Sequence, residues 1–398
     1  MSLDPVLKAL AAALAGEGPA VEFGPSGSGP QQGSWRLWRP TTAVAALPPG
    51  TAVVVRTSGS TGIPKATALT VDALAASSMS TAFNLRGEGQ WLLALPLDYV
   101  AGVQVLVRSL YAGTRPVEMD LTDGFTPERF AEAAEEMTDP FRLTSLVPTQ
   151  LRRLLEDPSP RLAKVLRRFD AVLIGGAPIP PGLLDRAAEA GVKVVTTYGS
   201  AETCGGCVYN GFPLEGVSVR IAEDGRIHLG GPVVAAGYVG DSERTAQHFL
   251  EEDGVRWYVT SDIGEFDGEG RLRVLGRTDD VVVTGGVKAS TAKVAAQLEA
   301  IDGVREAFVS GVRDAEWGQA LAAAVVLNGP GDVSTPAGRE IALTTVRASA
   351  VDRLGKLAPK TWLILETLPL LPNGKPDRQM LGEALARAHA AGRRPQTT

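Results

Sequence analysis

Cysteine, histidine and aromatic residues are scarce in this sequence. Two cysteines, Cys204 and Cys207, and three histidines, His228, His248 and His389, are spread over 398 residues. Two cysteines cannot build a disulfide scaffold. They do have C-x-x-C spacing, in TCGGC, which redox and zinc sites use. Zinc takes about four ligands, and the histidines stand singly, away from the pair. What remains is a reading of both as small residues beside two glycines, in a thin pocket wall. Long apolar runs are missing as well. No stretch reaches the roughly 18 apolar residues of a membrane span, so none is expected. Positive charge is not in excess: the net charge is −6, which lacks the basic footprint of a nucleic-acid partner. The opening MSLDPVLKALAAALAGEG carries Asp4, Lys8 and Glu17 around an apolar patch. It reads as a short amphipathic helix rather than a signal peptide, and a cytoplasmic location is the expectation.

What is present describes a globular chain: 44% hydrophobic and 21% charged residues, at a length that suits two or three domains. FGPSGSGPQQGS (23–34) reads as a loop and TAVVV (51–55) as a strand. A helix over 70–85 follows, with Asp72 near its start, and then a strand in WLLALPL. Helices at 126–137 and 148–157 enclose a strand in RLTSLVP. AVLIGGAP is a strand running into a Gly-Gly turn. PPGLLDRAAEAG is a helix opened by proline and closed by Gly191, and VKVVTTYG is the next strand. This alternation predicts an α/β fold with parallel strands. Such sheets bind ligands beyond the carboxyl ends of their strands, where the loops 57–65, 175–177 and 198–206 are expected. Residues 217–276 carry short strands with Asp-Gly and Glu-Gly turns, a β-rich subdomain. A small α+β domain follows. The expected division is a large domain over 1–278 and a C-terminal domain over 279–398.

One loop has an evident chemistry. In RTSGSTGIPK, the hydroxyls of Thr57, Ser58, Ser60 and Thr61 alternate with Gly59 and Gly62, and Lys65 closes the stretch. Glycines let several N–H groups converge, hydroxyls add donors and the lysine adds charge, which together suit a phosphate. The spacing is not that of the P-loop NTPases, because Pro64 precedes the lysine and Ala66 follows it.

Five motifs, in order, make the chain resemble the adenylate-forming acyl-CoA synthetases over about residues 50–380: TSGSTGIPK, GGAPIP, YGSAET, TSDIGEFDGEGRLRVLGRTDD and LPNGKPDR. The resemblance implies a two-step reaction. A carboxylic acid and ATP give an acyl-adenylate and pyrophosphate, and coenzyme A then takes the acyl group. It implies that the loop 57–65 holds the β- and γ-phosphates, that Glu202 binds Mg2+ and that Thr203 contacts the α-phosphate. Gly175, Gly176 and Ala177 would lie on one side of the adenine, with Tyr198 and Gly199 on the other. Asp262 would bind the ribose hydroxyls and Arg277 the ribose–phosphate side. Lys375 would be the catalytic lysine of the C-terminal domain, and Asp279 the hinge between its two orientations. Gly285 and Gly286, in TGGVK, would pass close to the pantetheine arm of coenzyme A.

The acid is addressed by LPLDYVAGVQVLVRSLYAGT (95–114). Asp98-Tyr99 stands where the family carries an aromatic-His pair, with Gly102 in its family position. Cys204 and Gly205 would line the same pocket. Arg108 interrupts an otherwise apolar helix, and a cation there invites a second carboxylate. RSLYAG resembles the matching stretch of the o-succinylbenzoate–CoA ligases of menaquinone biosynthesis, where an arginine holds the remote carboxylate. Two other readings stay open: a CoA ligase for another aryl or short-chain acid, and an acyl-adenylate-binding module without thioester chemistry. Monomer and homodimer are equally compatible with the sequence.

Overall fold

The computed structural model describes residues 3–24, 34–41, 44, 46–58, 64–157, 159–328, 335–371 and 376–392. They form two compact units, Met1–Thr260 with Glu265–Arg273, and Ser261–Gly264 with Val274–Thr398. The boundary read from the sequence, between 278 and 279, falls inside the second unit, close to where the chain enters it at Val274.

The largest sheet of the first unit runs Phe212–Pro213, Gly205–Tyr209, Val194–Ser200, Ala171–Ile174, Arg142–Leu146, Gln90–Leu93, Val117–Glu118. From Val194–Ser200 to Val117–Glu118 the strands are parallel. The two strands beyond Val194–Ser200 are antiparallel. Helices cover this sheet, and several begin as their sequences dictate. Thr70 and Thr126 each accept a backbone N–H with the side-chain hydroxyl, from Ala73 and Arg129. Helix Leu183–Glu189 differs from expectation. Gly182, at φ 71°, opens it rather than the preceding prolines, while Gly191, at φ 75°, follows its end as read.

A second sheet runs Gly237–Tyr238, Pro64–Thr70, Thr51–Ser58, Val21–Gly24, Ser34–Leu37. It corrects one expectation. The loop 57–65 follows the carboxyl end of Thr51–Ser58, a strand parallel to Val21–Gly24, but in this separate sheet, and it leads into the antiparallel strand Pro64–Thr70, with Thr57 opposite Lys65. The second of these strands begins Pro-Lys, and a starting proline hides a strand from propensity reasoning. The loop expected at 23–34 falls largely outside the described residues. The β-rich subdomain is present as Ser218–Ile221, Arg226–Gly230, Val255–Phe266 and Phe249–Glu252, with Leu272–Arg277 paired to Val255–Phe266.

The main sheet of the second unit, among the described residues, runs Val287–Ser290, Val281–Thr284, Gly318–Leu327, Val304–Asp314, with Thr361–Leu365 parallel to Gly318–Leu327. The strand Gly318–Leu327 is buried on both faces, which is why it reads as a continuous run of alanine and valine. Leu321, Ala323 and Val325 join one cluster with Val294, Leu298, Leu343 and Val346. Ala320, Ala322 and Ala324 join another with Leu381 and Leu385. The last two belong to a C-terminal helix, Arg378–Gly392, that the sequence reading did not identify. Its His389 is buried, with Nδ1 2.6 Å from Thr361 Oγ1 and Nε2 3.1 Å from Asp314 Oδ2. Among the described residues no helix is long and apolar enough to cross a membrane.

Candidate active site

Strand Val194–Ser200 ends in a tight turn that fixes Glu202. Ser200 N–H donates to Thr203 Oγ1 (3.0 Å), and the Thr203 hydroxyl donates to the Gly205 carbonyl (2.8 Å). Cys204 takes the left-handed conformation, φ 50°. A Cβ at Gly199 would strike the Gly205 carbonyl, so only glycine allows this approach. Behind the turn, Gln104 and Ser77 both donate to the Cys204 carbonyl. Glu202 is thereby held at 2% exposure.

A buried carboxylate needs partners, and Glu202 has two on one oxygen. Lys65 Nζ is ion-paired to Oε1, and the Tyr238 hydroxyl donates to the same atom at 2.8 Å. Lys65 also lies 3.4 Å from that hydroxyl and 5.3 Å from the centre of the tyrosine ring. Burial pushes the Glu202 pKa up, but Lys65 and the hydrogen bonds outweigh it and hold the carboxyl below its usual range. Burial, and then the Glu202 charge, raise that of Tyr238. Tyr238 arrives on the short strand paired with Pro64–Thr70. The sequence reading passed over it, and its position in a Gly-Tyr pair after a glycine-rich stretch was the only signal.

Around this pair the sequence-predicted residues are partly assembled. Thr57, next to last in its strand, has a buried Oγ1 with no hydrogen-bond partner among the described residues, and Ser58 is the last strand residue. Gly59, Ser60, Thr61 and Gly62 lie outside the described residues, as does Lys375. Gly175, Gly176 and Ala177 leave the carboxyl end of Ala171–Ile174, and Tyr198 and Gly199 stand at that of the neighbouring strand. A Cβ at Gly175 would collide with Thr197, which explains that glycine. Among the described residues no three His, Cys, Asp or Glu side chains gather to cage a metal. A lone carboxylate suits Mg2+, which binds one or two carboxylates together with substrate phosphates.

The residues expected to take the acid lie on or just before helix Val100–Tyr111. It is buried from Gly102 to Ser109, and a Cβ at Gly102 would meet the Pro96 carbonyl. Tyr99 caps the helix half-buried, its hydroxyl pKa raised by burial and then by Asp98. Asp98 is buried with Oδ1 unpartnered, and burial raises its pKa. Gln104 and Arg108, one turn apart, both face strand Gly205–Tyr209. Arg108 is not on a polar helix face: it is 7% exposed. It donates weakly to the Tyr209 hydroxyl (3.4 Å) and lies 5.2 Å from the centre of the Trp91 ring. Its Nε has no partner, and no carboxylate among the described residues pairs with it. It lines a small pocket with Ser78, Thr81, Trp91 and Tyr111. Cys204 and Cys207 are free and fully buried, with burial pushing the Cys207 thiol to about 12 and that of Cys204 higher. Such thiols are inert packing groups.

In the second unit, Arg277 donates to Asp262 Oδ1 at 3.0 Å. Asp279 sits in the turn Thr278–Asp280, beside Asp280, which is paired with Arg378. Gly285 and Gly286 form a two-residue hairpin turn with φ of 54° and 80°, the conformation that matches strand twist. The Trp317 ring fills the space a Cβ at Gly285 would need.

Residues 7–239 match the model of the AMP-binding enzyme family, and residues 293–375 that of the AMP-binding enzyme C-terminal domain. The chain is 39% identical to a probable 2-succinylbenzoate–CoA ligase of Mycobacterium tuberculosis, covering 94% of both. It is 30% identical to 2-succinylbenzoate–CoA ligase of Listeria innocua, over 84% of this chain and 70% of that one. Among solved structures it resembles the o-succinylbenzoate CoA synthetase MenE of Bacillus subtilis in complex with the acyl-adenylate OSB-AMP (TM-score 0.68, 29% identity, 83% of this chain and 69% of that one). It also resembles ATP-bound MatB of Rhodopseudomonas palustris (TM-score 0.70, 27% identity, 84% and 68%). With both family models matched in order along it, the chain belongs to the AMP-binding enzymes, the adenylate-forming acyl-CoA synthetases.

Proposed function

We propose that this chain is an o-succinylbenzoate–CoA ligase of menaquinone biosynthesis, acting in the cytoplasm. It activates o-succinylbenzoate with ATP and passes the acyl group to coenzyme A. The observation that carries the choice of acid is Arg108, a buried guanidinium with an unpartnered Nε and, among the described residues, no carboxylate of its own. A diacid has one carboxylate to react and one to place, and a guanidinium fork pairs with the second. The relatives named for this substrate support the same choice.

The remaining roles belong to the same proposal. Thr57, Ser58, the loop 59–62 and Lys65 bind the β- and γ-phosphates, and Thr203 the α-phosphate. Gly175, Gly176, Ala177, Tyr198 and Gly199 take the adenine. Glu202 is the carboxylate for Mg2+, which when bound screens phosphate charge as the acid approaches. Asp262 and Arg277 serve the ribose. Lys375 stabilises charge developing between the reacting carboxylate and the α-phosphate. Asp279 is the hinge, and Gly285 and Gly286 border the pantetheine. Tyr99, Gly102, Cys204 and Gly205 shape the acyl pocket.

A CoA-ligation screen with o-succinylbenzoate, benzoate, succinate and fatty acids tests the proposal. Turnover of o-succinylbenzoate well above the others is expected. Preference for a monocarboxylic acid would refute the substrate.

A further inference from the structure

The Lys65–Glu202 pair contains a conflict. Read as above, Lys65 serves a phosphate and Glu202 serves a metal. While they are paired, the ammonium occupies Glu202 Oε1 and neutralises the charge that a metal would need. Yet Glu202 at 2% exposure needs a cation nearby at all times. Lys65 supplies it from the antiparallel hairpin, and Tyr238 binds the same Oε1 from the adjoining strand. Lys65 keeps 24% of its side chain exposed, so its ammonium can leave without unfolding either strand.

We infer that Lys65 is a resident counter-ion that closes the metal carboxylate to free divalent cations. Only a cation arriving with ATP can take Glu202, because the phosphates give Lys65 a replacement anion as the metal replaces Lys65. Charge is balanced before and after: lysine on carboxylate, then lysine on phosphate and metal on carboxylate. Tyr238 is a positioning residue for the exchange. Its hydroxyl fixes Oε1, and its ring lies under the ammonium. The exchange makes metal uptake conditional on nucleotide, so the site stays unloaded when ATP is absent. This inference rests on the reading of Glu202 as the metal carboxylate.

The test is metal binding, without turnover. Mn2+ is titrated into the full chain and free Mn2+ is followed by electron paramagnetic resonance, with and without α,β-methylene-ATP. Wild-type protein is expected to take up Mn2+ at this site only with the nucleotide. Lys65→Met should bind Mn2+ alone at least about tenfold more tightly than wild type, a difference near 1.4 kcal/mol. Adding Glu202→Gln should abolish that gain. Lys65→Gln, which keeps a donor for Oε1 without the charge, should show the same gain and serves if the methionine variant does not fold. Mn2+ alone should also raise the melting temperature of these variants but not that of wild type. If neither lysine variant binds free Mn2+ more tightly than wild type, the counter-ion role is overturned. If Glu202→Gln leaves nucleotide-dependent Mn2+ uptake unchanged, the reading of Glu202 as a metal carboxylate fails instead.

Discussion

Two buried charges sit on either side of the turn at Cys204, and they are treated in opposite ways. Glu202 is matched by an ammonium and a phenol from neighbouring strands. Arg108, almost as deeply buried, has among the described residues only a long hydrogen bond to a phenol and the face of an indole. Compensating a charge inside the protein offsets the cost of burying it. Leaving one uncompensated lowers stability and creates a demand for an outside partner. The first arrangement suits a group that must wait; the second suits a group that must choose.

The comparison can be broken most forcefully through stability. Lys65→Met strands a buried carboxylate and is expected to destabilise the protein by about 3–5 kcal/mol. Arg108→Met removes an unmatched charge and should leave stability unchanged or raised. Denaturant unfolding of the two variants measures both, and equal losses would mean that Arg108 is already paired. Next comes substrate binding. Arg108→Ala is expected to raise the KM for o-succinylbenzoate by about 2–5 kcal/mol of lost interaction, part of it the stranding of the substrate's own carboxylate. The KM for ATP should stay near normal. Arg108→Lys should recover only part, because an ammonium lacks the fork. Steady-state kinetics decide this, with benzoate as the acid that the mutation should hardly affect.

A smaller effect is expected from Tyr238→Phe, which removes one donor from Glu202 Oε1 while leaving Lys65 in place. A loss of about 0.5–1.5 kcal/mol in stability is the expectation. It should be accompanied by weaker Mn2+ binding in the presence of α,β-methylene-ATP, which a purely structural tyrosine would not alter. The smallest effect concerns Asp98, a second unmatched charge. Burial raises its folded pKa above the ordinary 3.8. The folded state therefore binds the proton more readily than the unfolded chain, and stability falls as pH rises from 3.8 through the raised folded value. Asp98→Asn should stabilise the protein at neutral pH, with the advantage disappearing at more acidic pH. A constant difference across pH would assign the effect to packing.

The sequence disclosed the site's parts better than its assembly. The strand TAVVV, the turn at YGSAET and the buried helix carrying Arg108 were legible because each has local chemistry: apolar runs, glycines and a cation out of pattern. The partnership of Lys65 with Glu202 was not, since it joins residues 137 positions apart, one on a strand and the other in the turn that follows a strand of a different sheet. Tyr238 and Gln104 escaped for the same reason. Each looks like an ordinary packing residue until a distant turn is folded against it. The register of the hairpin 51–70 was also hidden, because a proline opens its second strand. In the second unit, an alanine-rich strand was recognised, but not the helix Arg378–Gly392 that covers one of its faces.

That helix has a genetic consequence. An allele truncated just after Arg378 would still encode every motif that marks the family, including the LPNGKPDR loop and its lysine. It would nevertheless lose Leu381, Leu385 and His389, the side chains that cover Ala320, Ala322 and Ala324 and engage Thr361 and Asp314. Such a product would look intact in any motif-based inventory of a genome while carrying a second unit with half its core open to water. For this chain, counting motifs is a poor guide to whether a shortened gene still makes an enzyme.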